Sequence, residues 1–426
     1  MLLMFGSTVV DYACGKMISA EGAMAARRKT GLLVSVIMNL AVLAFFKYAG
    51  FGAETFASLS KLFGGGGFEV PEFFRTIVLP VGISFYTFQS MSYSIDLYRG
   101  HAVPARNFTD FACYVSMFPQ LVAGPIVRYG SVADQLQTRT HTVDGFALGA
   151  TRFSWGFAKK ILLANPMGGI ADTCFQAGEG ALGTPAAWIG IIAYAFQIYF
   201  DFSAYSDMAI GLGRMFGFRF PENFDSPYKS KSITEFWRRW HISLSSFLRD
   251  YLYIPLGGNR KGEFRTYINL ATVMLLGGLW HGAQWTFIAW GAIHGGMLAF
   301  ERLMGKDSFY AQMPSFLRVG LTFVIVLITW VFFRAENFEV AWRYLASMFF
   351  MGGEASSSVL VNAQVFRPFN LFWLVVCCLV VWLMPRSYAI LHRLTLGKAV
   401  AGLALLIVSV MIMFTQGVNP FLYFQF

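Results

Sequence analysis

Charged side chains are scarce in this chain of 426 residues, where Asp, Glu, Lys and Arg together make up only 13%. An ordinary soluble domain has about 25% charged residues, so the deficit excludes a soluble protein. Hydrophobic residues reach 56% and aromatic residues 17%, which excludes a disordered chain. Because one bilayer span takes about 20 residues, the length accommodates roughly ten spans. The composition therefore predicts an all-α polytopic membrane protein.

Cysteine is also sparse, and its pattern excludes the usual frameworks. The five cysteines have no CxxC spacing and include one adjacent pair, Cys377 and Cys378, so neither a disulfide scaffold nor a zinc site is expected. The six histidines form no HxxxH or HExxH motif. We expect no metal site and no bound cofactor.

Several signatures of other function classes are missing. The sequence has no GxSxG motif and no glycine-rich phosphate loop, which argues against the common hydrolases and nucleotide-binding enzymes. It has no repeat of 20 to 50 residues and no paired halves of the kind found in inverted-repeat carriers. The net charge of +10 is explained by the basic bias of cytoplasmic loops. A nucleic-acid partner is not expected.

Apolar runs along the chain indicate where the membrane helices lie. The stretch at 109–123 contains Pro119 and is followed by Gly124-Pro125, so it is predicted to be a re-entrant or broken helix. The N-terminal residues lack a basic n-region and a cleavage site, which is typical of the end of a span rather than of a signal peptide. The runs are 31–48, 76–95, 109–123, 146–164, 186–213, 267–279, 284–300, 317–333, 369–384 and 398–415.

The charges that flank the first long run predict its orientation. Arg27, Arg28 and Lys29 precede the run at 31–48, whereas the loop at 50–74 has Lys61 as its only Lys or Arg before Phe74. Since cytoplasmic loops carry the excess of Lys and Arg, the basic side is cytoplasmic and the glycine-rich loop is external.

A basic insert at about 214–265 differs from its surroundings, with ten of the 33 cations in 52 residues. Its middle opens with a helix-capping pattern, Ser232-Ile-Thr-Glu235, and continues with apolar residues at helical spacing. This predicts one amphipathic helix at the cytoplasmic interface. The alternative is a helix that lies on the membrane surface and only anchors the protein.

Histidine and aspartate in apolar segments are the candidates for chemistry, because ionisable groups inside a membrane are costly. His281 lies in LLGGLWHGAQWTFIAW, where glycines favour a helix break and tryptophans exclude water, so it is a candidate general base. His241 lies in the basic insert and reaches the same cavity if the insert folds inward. His294 is expected to be a core residue. Asp201 and Asp207 either form a proton or ion path or pair with nearby cations.

Long strings of the sequence resemble the membrane-bound O-acyltransferase family. The similarity runs from about residue 8 to the C-terminus and favours the bacterial branch that acts in alginate O-acetylation. The chain starts later than members of that branch usually do, so a shortened first span is expected. The strings are MFPQLVAGPIVRYG, YFDFSAYSDMAIGLGRMFGF, PENFDSPYKSKSITEFWRRWHISLSSFLRDYLYIPLGG, GLWHGAQWTFIAWGAIHG and PFLYFQF.

The resemblance implies a single membrane-embedded domain over residues 1–426, with about ten transmembrane or re-entrant helices around a central funnel or tunnel. By motif, His281 matches the family's invariant histidine, and His241 matches the second histidine of the bacterial branch. His281 is then the base, a transient acyl carrier, or both. Further expected site residues are the tunnel-lining Trp280, Trp285 and Asp201, and the donor-binding or cytoplasmic-rim residues Arg238, Arg239 and Arg249.

The implied reaction is O-acetylation of an extracytoplasmic polysaccharide from a cytoplasmic thioester such as acetyl-coenzyme A. The expected setting is the bacterial inner membrane, with membrane lipids, partner acetyltransferases outside and a glycan acceptor. That acceptor is alginate, cellulose, peptidoglycan or another glycan. Two alternatives stay open: D-alanyl transfer from a carrier protein toward teichoic acid, and a transporter with a histidine–aspartate proton relay.

Overall fold

The computed structural model describes residues 2–64, 68–122, 124–305, 309–350 and 358–416. Within these ranges the regular structure is helical, and no strand occurs. The predicted all-α class is therefore confirmed. The terminal string PFLYFQF, one of those that resemble the acyltransferase family, lies outside the described residues.

Four described helices are long and apolar enough to cross a membrane, and a bent pair, Ser358–Val365 with Pro368–Leu383, counts as a fifth if it forms one span. The polytopic character expected from the sequence is thus confirmed. The count of about ten spans and the central funnel stay predictions. The four helices are Ala25–Leu62, Thr184–Met215, Ser315–Arg334 and Leu396–Met413.

The first of two compact units comprises residues 1–141 and 217–220. Inside it, the Asp11 carboxylate accepts hydrogen bonds from the Ser35 hydroxyl (2.6 Å) and the Asn39 amide (2.9 Å). The predicted break in the 109–123 run is confirmed, because the helix there ends at Val115, ahead of Pro119. The helices of this unit are α1 Leu2–Ser19, α2 Ala25–Leu62, α3 Glu72–Arg75, α4 Ile83–Arg99, α5 Phe108–Val115 and α6 Tyr129–Gln137.

The second unit comprises residues 142–216 and 221–426 and contains both candidate histidines. Two π-helical segments, Lys159–Ala164 and Arg249–Tyr253, and one 3₁₀ turn, Pro227–Lys229, lie between its α-helices. The α-helices are α7 Val143–Ala158, α8 Asn165–Phe175, α9 Thr184–Met215, α10 Ile233–Arg239, α11 Ile242–Leu248, α12 Glu263–His281, α13 Trp285–Met304, α14 Phe309–Gln312, α15 Ser315–Arg334, α16 Phe338–Met348, α17 Ser358–Val365, α18 Pro368–Leu383, α19 Ser387–Ile390 and α20 Leu396–Met413.

Helix α9 is the central support of the second unit and packs closely against α7. A Cβ added at Gly156 would overlap the Ala204 carbonyl, and one added at Gly211 would overlap the Gly149 carbonyl. Small residues at such positions let two helix backbones approach each other in a membrane. These glycines therefore allow α9 to pack directly against α7. Other residues of α9 contact the candidate site.

The basic insert does not form the single amphipathic helix that the spacing predicts. The N-terminal cap is confirmed, since the Glu235 amide donates to the Ser232 hydroxyl (3.0 Å). However, the helix ends at Arg239, and a second one starts at Ile242. The reason is the left-handed backbone of His241, with φ 42° and ψ 55°, which no continuous right-handed helix accommodates. Because of the break, this part of the insert is directed into the protein interior.

Candidate active site

His241 sits at the junction of α10 and α11, in a backbone conformation that is uncommon for a residue with a side chain. Two hydrogen bonds from the loop before α10 hold the junction. The Ile242 amide donates to the Asn223 carbonyl and the Asp225 amide donates to the Arg239 carbonyl, both at 2.9 Å. Strain of this kind persists only where the surroundings enforce it, and it is concentrated at functional sites.

The His241 imidazole is completely buried, with 0% of the residue exposed. Its Nδ1 lies 3.2 Å from the Asn223 side-chain oxygen. On its faces, Phe202 of α9 makes an edge contact with a centroid distance of 4.6 Å, and Phe224 lies at 6.4 Å. Among the described residues, no hydrogen-bond partner reaches Nε2.

His281 is the last residue of α12, and the chain leaves the helix at Gly282, which has an extended backbone. The helix break that the glycines predict is thus confirmed and lies at Gly282, whereas Gly277 and Gly278 are inside α12. A Cβ at Gly282 would overlap the Phe287 ring, so the break also requires glycine for space. The His281 ring packs between Trp290 (5.4 Å) and Phe333 (5.2 Å), and the residue keeps 8% of its surface exposed. His281 is enclosed and keeps only a small accessible surface.

Trp280 joins the two histidines, because its ring centroid lies 6.1 Å from that of His241 and 5.2 Å from that of His281. His241 lies outside the candidate spans. Burial lowers the pKa of His241 well below 6.5, and the nearby charge of His281 lowers it further. The structure therefore brings together two histidines that are 40 positions apart in sequence, and burial favours the neutral form of His241.

His294 lies near this pair, but its hydrogen bonds are those of a structural residue. Its Nδ1 accepts from the Trp237 indole (3.2 Å), and its Nε2 lies 3.1 Å from the Thr329 hydroxyl. Both ring nitrogens are therefore satisfied by protein, as expected for a core residue.

Two of the three predicted tunnel-lining residues are buried. Trp280 contacts both histidines, and Asp201 forms an ion pair with Lys160 at 2.6 Å in which both side chains are enclosed. Trp285, in contrast, is 51% exposed. Asp207 pairs with Arg152 (2.8 Å), so both aspartates follow the ion-pair alternative. The tunnel-lining roles stay predictions.

The three arginines predicted to form a donor-binding rim differ in their surroundings. Arg238 is exposed. Arg239 is paired with Glu235 on the preceding turn (2.6 Å), and Arg249 with its neighbour Asp250 (2.7 Å). Their role toward the donor stays a prediction. Within the described ranges, no group of three or more His, Cys, Asp and Glu side chains is placed to hold a metal ion.

Sequence reasoning missed the polar residues that hold His241. The side-chain oxygen of Asn223 accepts from the Ser243 hydroxyl (2.9 Å), and the Asn223 amide donates to Ser206 of α9 (3.2 Å). Asn223 lies inside the string PENFDSPY, but nothing in its local pattern connects it to a histidine 18 positions later. The contact depends on how the loop folds back on α9.

Comparison with known proteins shows the family to which the chain belongs. The profile of the MBOAT, membrane-bound O-acyltransferase family, matches residues 99–338. A probable alginate O-acetylase AlgI from Azotobacter vinelandii is 45% identical over 98% of this chain and 89% of its own length. The protein of the same name from Pseudomonas aeruginosa is 51% identical over 83% of this chain and 66% of its own. A peptidoglycan O-acetyltransferase from Helicobacter pylori is 38% identical over 82% and 70%.

The family match covers more than half of the chain and includes both His241 and His281. The relatives extend the similarity over nearly the whole sequence. The chain belongs to the membrane-bound O-acyltransferase family and is an O-acyltransferase.

Proposed function

We propose that this enzyme moves an acetyl group from a cytoplasmic thioester, acetyl-coenzyme A, to O-acetylate a polysaccharide outside the cytoplasmic membrane. Partner acetyltransferases on the outer side complete the modification. The observation that carries the proposal is the enclosed pair His241 and His281, joined through Trp280. Relatives named as alginate and peptidoglycan O-acetyltransferases support acetyl as the group and a glycan as the acceptor.

His281 is the general base in this proposal. The acceptor hydroxyl oxygen attacks the thioester carbonyl carbon while its proton passes to the His281 imidazole. The carbon–sulfur bond then breaks, and the proton moves from the imidazolium to the leaving thiolate, so an ester and a free thiol result. The partial exposure of His281 suits a group that must meet two substrates.

His241 supplies a neutral imidazole beside this base. With its pKa held below 6.5, it carries no charge that would repel a protonated His281. The lone pair on its second ring nitrogen accepts a hydrogen bond from substrate. The aromatic rings of Trp280, Trp290 and Phe333 around His281 exclude water, which otherwise hydrolyses the thioester.

Arg238 is the arginine of the rim best placed to attract an anionic donor, because it is exposed whereas Arg239 has a carboxylate partner. A charged rim concentrates anionic ligands and loses this effect as salt rises. This predicts a higher KM for the donor in Arg238→Ala, with kcat unchanged. Equal KM values for the variant and the wild type at low ionic strength would assign this face to membrane anchoring.

The central experiment measures ester-linked acetyl groups on cell-surface polysaccharide by mass spectrometry. A deletion strain is complemented with wild type, His281→Ala, His281→Gln or the control His101→Ala, in which an exposed histidine is removed. Acetylation is expected with wild type and His101→Ala and is expected to be lost in both His281 variants at equal protein levels. Full acetylation with His281→Ala would refute the assignment, and D-alanyl esters in place of acetyl esters would refute the donor.

A further inference from the structure

We propose that Asn223 is a positioning residue that fixes the tautomer of His241, with the proton on Nδ1 and the lone pair on Nε2. The inference rests on the proposed function, because it concerns a histidine of the reacting pair. It assigns a role to a side chain that lies outside that pair and is 1% exposed.

The orientation of the Asn223 amide is determined by its neighbours. Its nitrogen donates to the Ser206 hydroxyl (3.2 Å), while its oxygen accepts from the Ser243 amide (3.2 Å) and the Ser243 hydroxyl (2.9 Å). A flipped amide would point its N–H₂ group at the donor N–H of Ser243, which is unfavourable. The atom that faces His241 is therefore the oxygen.

An amide oxygen only accepts hydrogen bonds, so the ring nitrogen that it contacts must be the donor. That nitrogen is Nδ1 of His241, at 3.2 Å. In the neutral ring, Nε2 is then unprotonated. The burial that lowers the pKa of His241 agrees with this neutral form.

His294 provides the contrast within the same unit. Its Nδ1 accepts from the Trp237 indole N–H, which is only a donor, so its proton is on Nε2, 3.1 Å from Thr329. His241 and His294 therefore have opposite tautomers. Of these two, only His241 has a buried Nε2 without a hydrogen-bond partner among the described residues.

Asn223 also holds the backbone of the residue that it orients. Its carbonyl oxygen accepts from the Ile242 amide (2.9 Å), directly after the left-handed His241. Its neighbour Glu222 is bound by Arg152 (2.7 Å), which also binds Asp207 of α9. One residue thus sets both the backbone position and the ring protonation of His241.

Two substitutions at position 223 separate acceptor chemistry from packing. Asn223→Leu is close in shape but has no acceptor, whereas Asn223→Asp keeps an acceptor toward Nδ1. Asn269→Leu is the control, because Asn269 is also buried and bonded, to the Gly258 carbonyl (3.0 Å), but lies 12 residues before His281 on α12. All proteins are full length in lipid bilayers.

The first readout is the ¹⁵N spectrum of histidine-labelled protein, with the His241 signals assigned by their loss in His241→Gln. Wild type, Asn223→Asp and Asn269→Leu are expected to show protonated Nδ1, and Asn223→Leu is expected to show Nε2 protonation. The second readout is acetyl transfer. We expect kcat to fall at least about 100-fold in Asn223→Leu with the donor KM unchanged, since a wrong tautomer disables an otherwise intact site.

Asn223→Asp is expected to retain transfer, with its pH profile moved to higher pH, because a carboxylate beside Nδ1 favours the imidazolium. An unchanged tautomer in Asn223→Leu, or full transfer despite a changed one, overturns the positioning role. If Asn223→Leu does not fold, a wild-type pH profile in Asn223→Asp overturns it. If the His241 tautomer depends on Asn223 but the wild-type protein transfers no acetyl group, the proposed function is refuted and the positioning role of Asn223 stands.

Discussion

At the scale of single residues, the hydrogen bonds of a histidine indicate its role better than its burial does. His241 and His294 are both almost fully enclosed, with 0% and 1% exposure. His294 uses both ring nitrogens on Trp237 and Thr329, which makes it part of the packing. His241 uses one nitrogen on Asn223, and its other nitrogen has no hydrogen-bond partner among the described residues.

The depressed pKa of His241 makes the stability of the protein dependent on pH. Its value in the unfolded chain is about 6.5, so below that pH the unfolded state takes up a proton that the folded state does not. Folding stability therefore falls as the pH is lowered. Between about pH 6.5 and 5.5 the loss from this residue is about 1 kcal/mol, if the folded ring stays neutral.

The measurement is the free energy of unfolding at both pH values for wild type and His241→Gln. We expect the decrease to be smaller in the variant by that amount. His281 is the titratable group that influences His241, and it is present in both proteins. The control His392→Gln removes an exposed histidine and is expected to keep the wild-type decrease. Equal decreases in wild type and His241→Gln would contradict the neutral state of His241.

Gly282 is a second residue whose role is local and testable. A Cβ at this position would overlap the Phe287 ring, so Gly282→Ala forces the turn after His281 to shift. Overpacking of this kind costs about 1–3 kcal/mol. We expect a lower midpoint of thermal unfolding and a loss of acetyl transfer.

The matched control for this variant is Gly296→Ala in α13, where a Cβ meets nothing within 4 Å. Because alanine favours a helix over glycine, this change is expected to leave the unfolding midpoint equal or higher. A wild-type midpoint in Gly282→Ala would show that the turn tolerates a side chain.

At the scale of elements, local signals in the sequence predict helix ends, and tertiary contacts decide where helices break. The cap at Ser232 and the break after His281 both follow from residue types next to each other in the chain. The break at His241 does not, because the apolar spacing continues through it. It depends on Asn223 and on α9, which a local pattern does not contain.

The contact between α7 and α9 is held by charge as well as by glycine. Arg152 of α7 binds Asp207 of α9 through two nitrogens, at 2.8 and 3.0 Å, and Lys159 from the adjoining π segment binds the same carboxylate. The second carboxylate on Arg152 is Glu222, whose side chain is 35% exposed compared with 7% for Asp207. The loss of Asp207 therefore leaves more enclosed positive charge without a partner than the loss of Glu222 does.

Asp207→Asn is expected to destabilise the protein by about 3–5 kcal/mol, because it removes the buried anion shared by Arg152 and Lys159 and leaves Arg152 with only the more exposed Glu222. Glu222→Gln is the comparison. It leaves Asp207 in place and removes a charge at a more exposed site. The expected cost in free energy of unfolding is therefore about 1 kcal/mol or less. Unfolding in a denaturing detergent series measures both, and equal costs would refute the assignment of Asp207 as the central anion.

At the scale of the whole molecule, composition and loop charge predict a helical membrane protein but not the joining of its reactive groups. The shortage of charge follows directly from the bilayer, so the fold class is visible in the sequence alone. The meeting of His241 and His281 at Trp280 requires α10 to turn inward and α12 to end at His281. Family resemblance indicated both histidines, and the structure shows that both contact Trp280.

Helix α9 also offers a test of membrane orientation. Its 32 residues span about 48 Å at 1.5 Å per residue, which is enough to cross the roughly 30 Å of a hydrocarbon core, and we expect its two ends on opposite sides. The basic insert follows its C-terminal end. Because Lys and Arg accumulate in cytoplasmic loops, that end is expected inside and the loop before Thr184 outside.

Single cysteines at the exposed positions Glu179, before α9, and Arg260, in the insert, test this in a background without the five native cysteines. With an impermeant thiol reagent, Glu179→Cys is expected to label in intact spheroplasts and Arg260→Cys only in inverted vesicles. The sequence predicts an external loop at 50–74, but residues 50–62 belong to α2, so the external side of the part after α2 is tested in the same way at Glu69, which is also exposed. Labelling of positions 179 and 260 from the same side would contradict α9 as a full span, and with it the route from a cytoplasmic donor to an external acceptor.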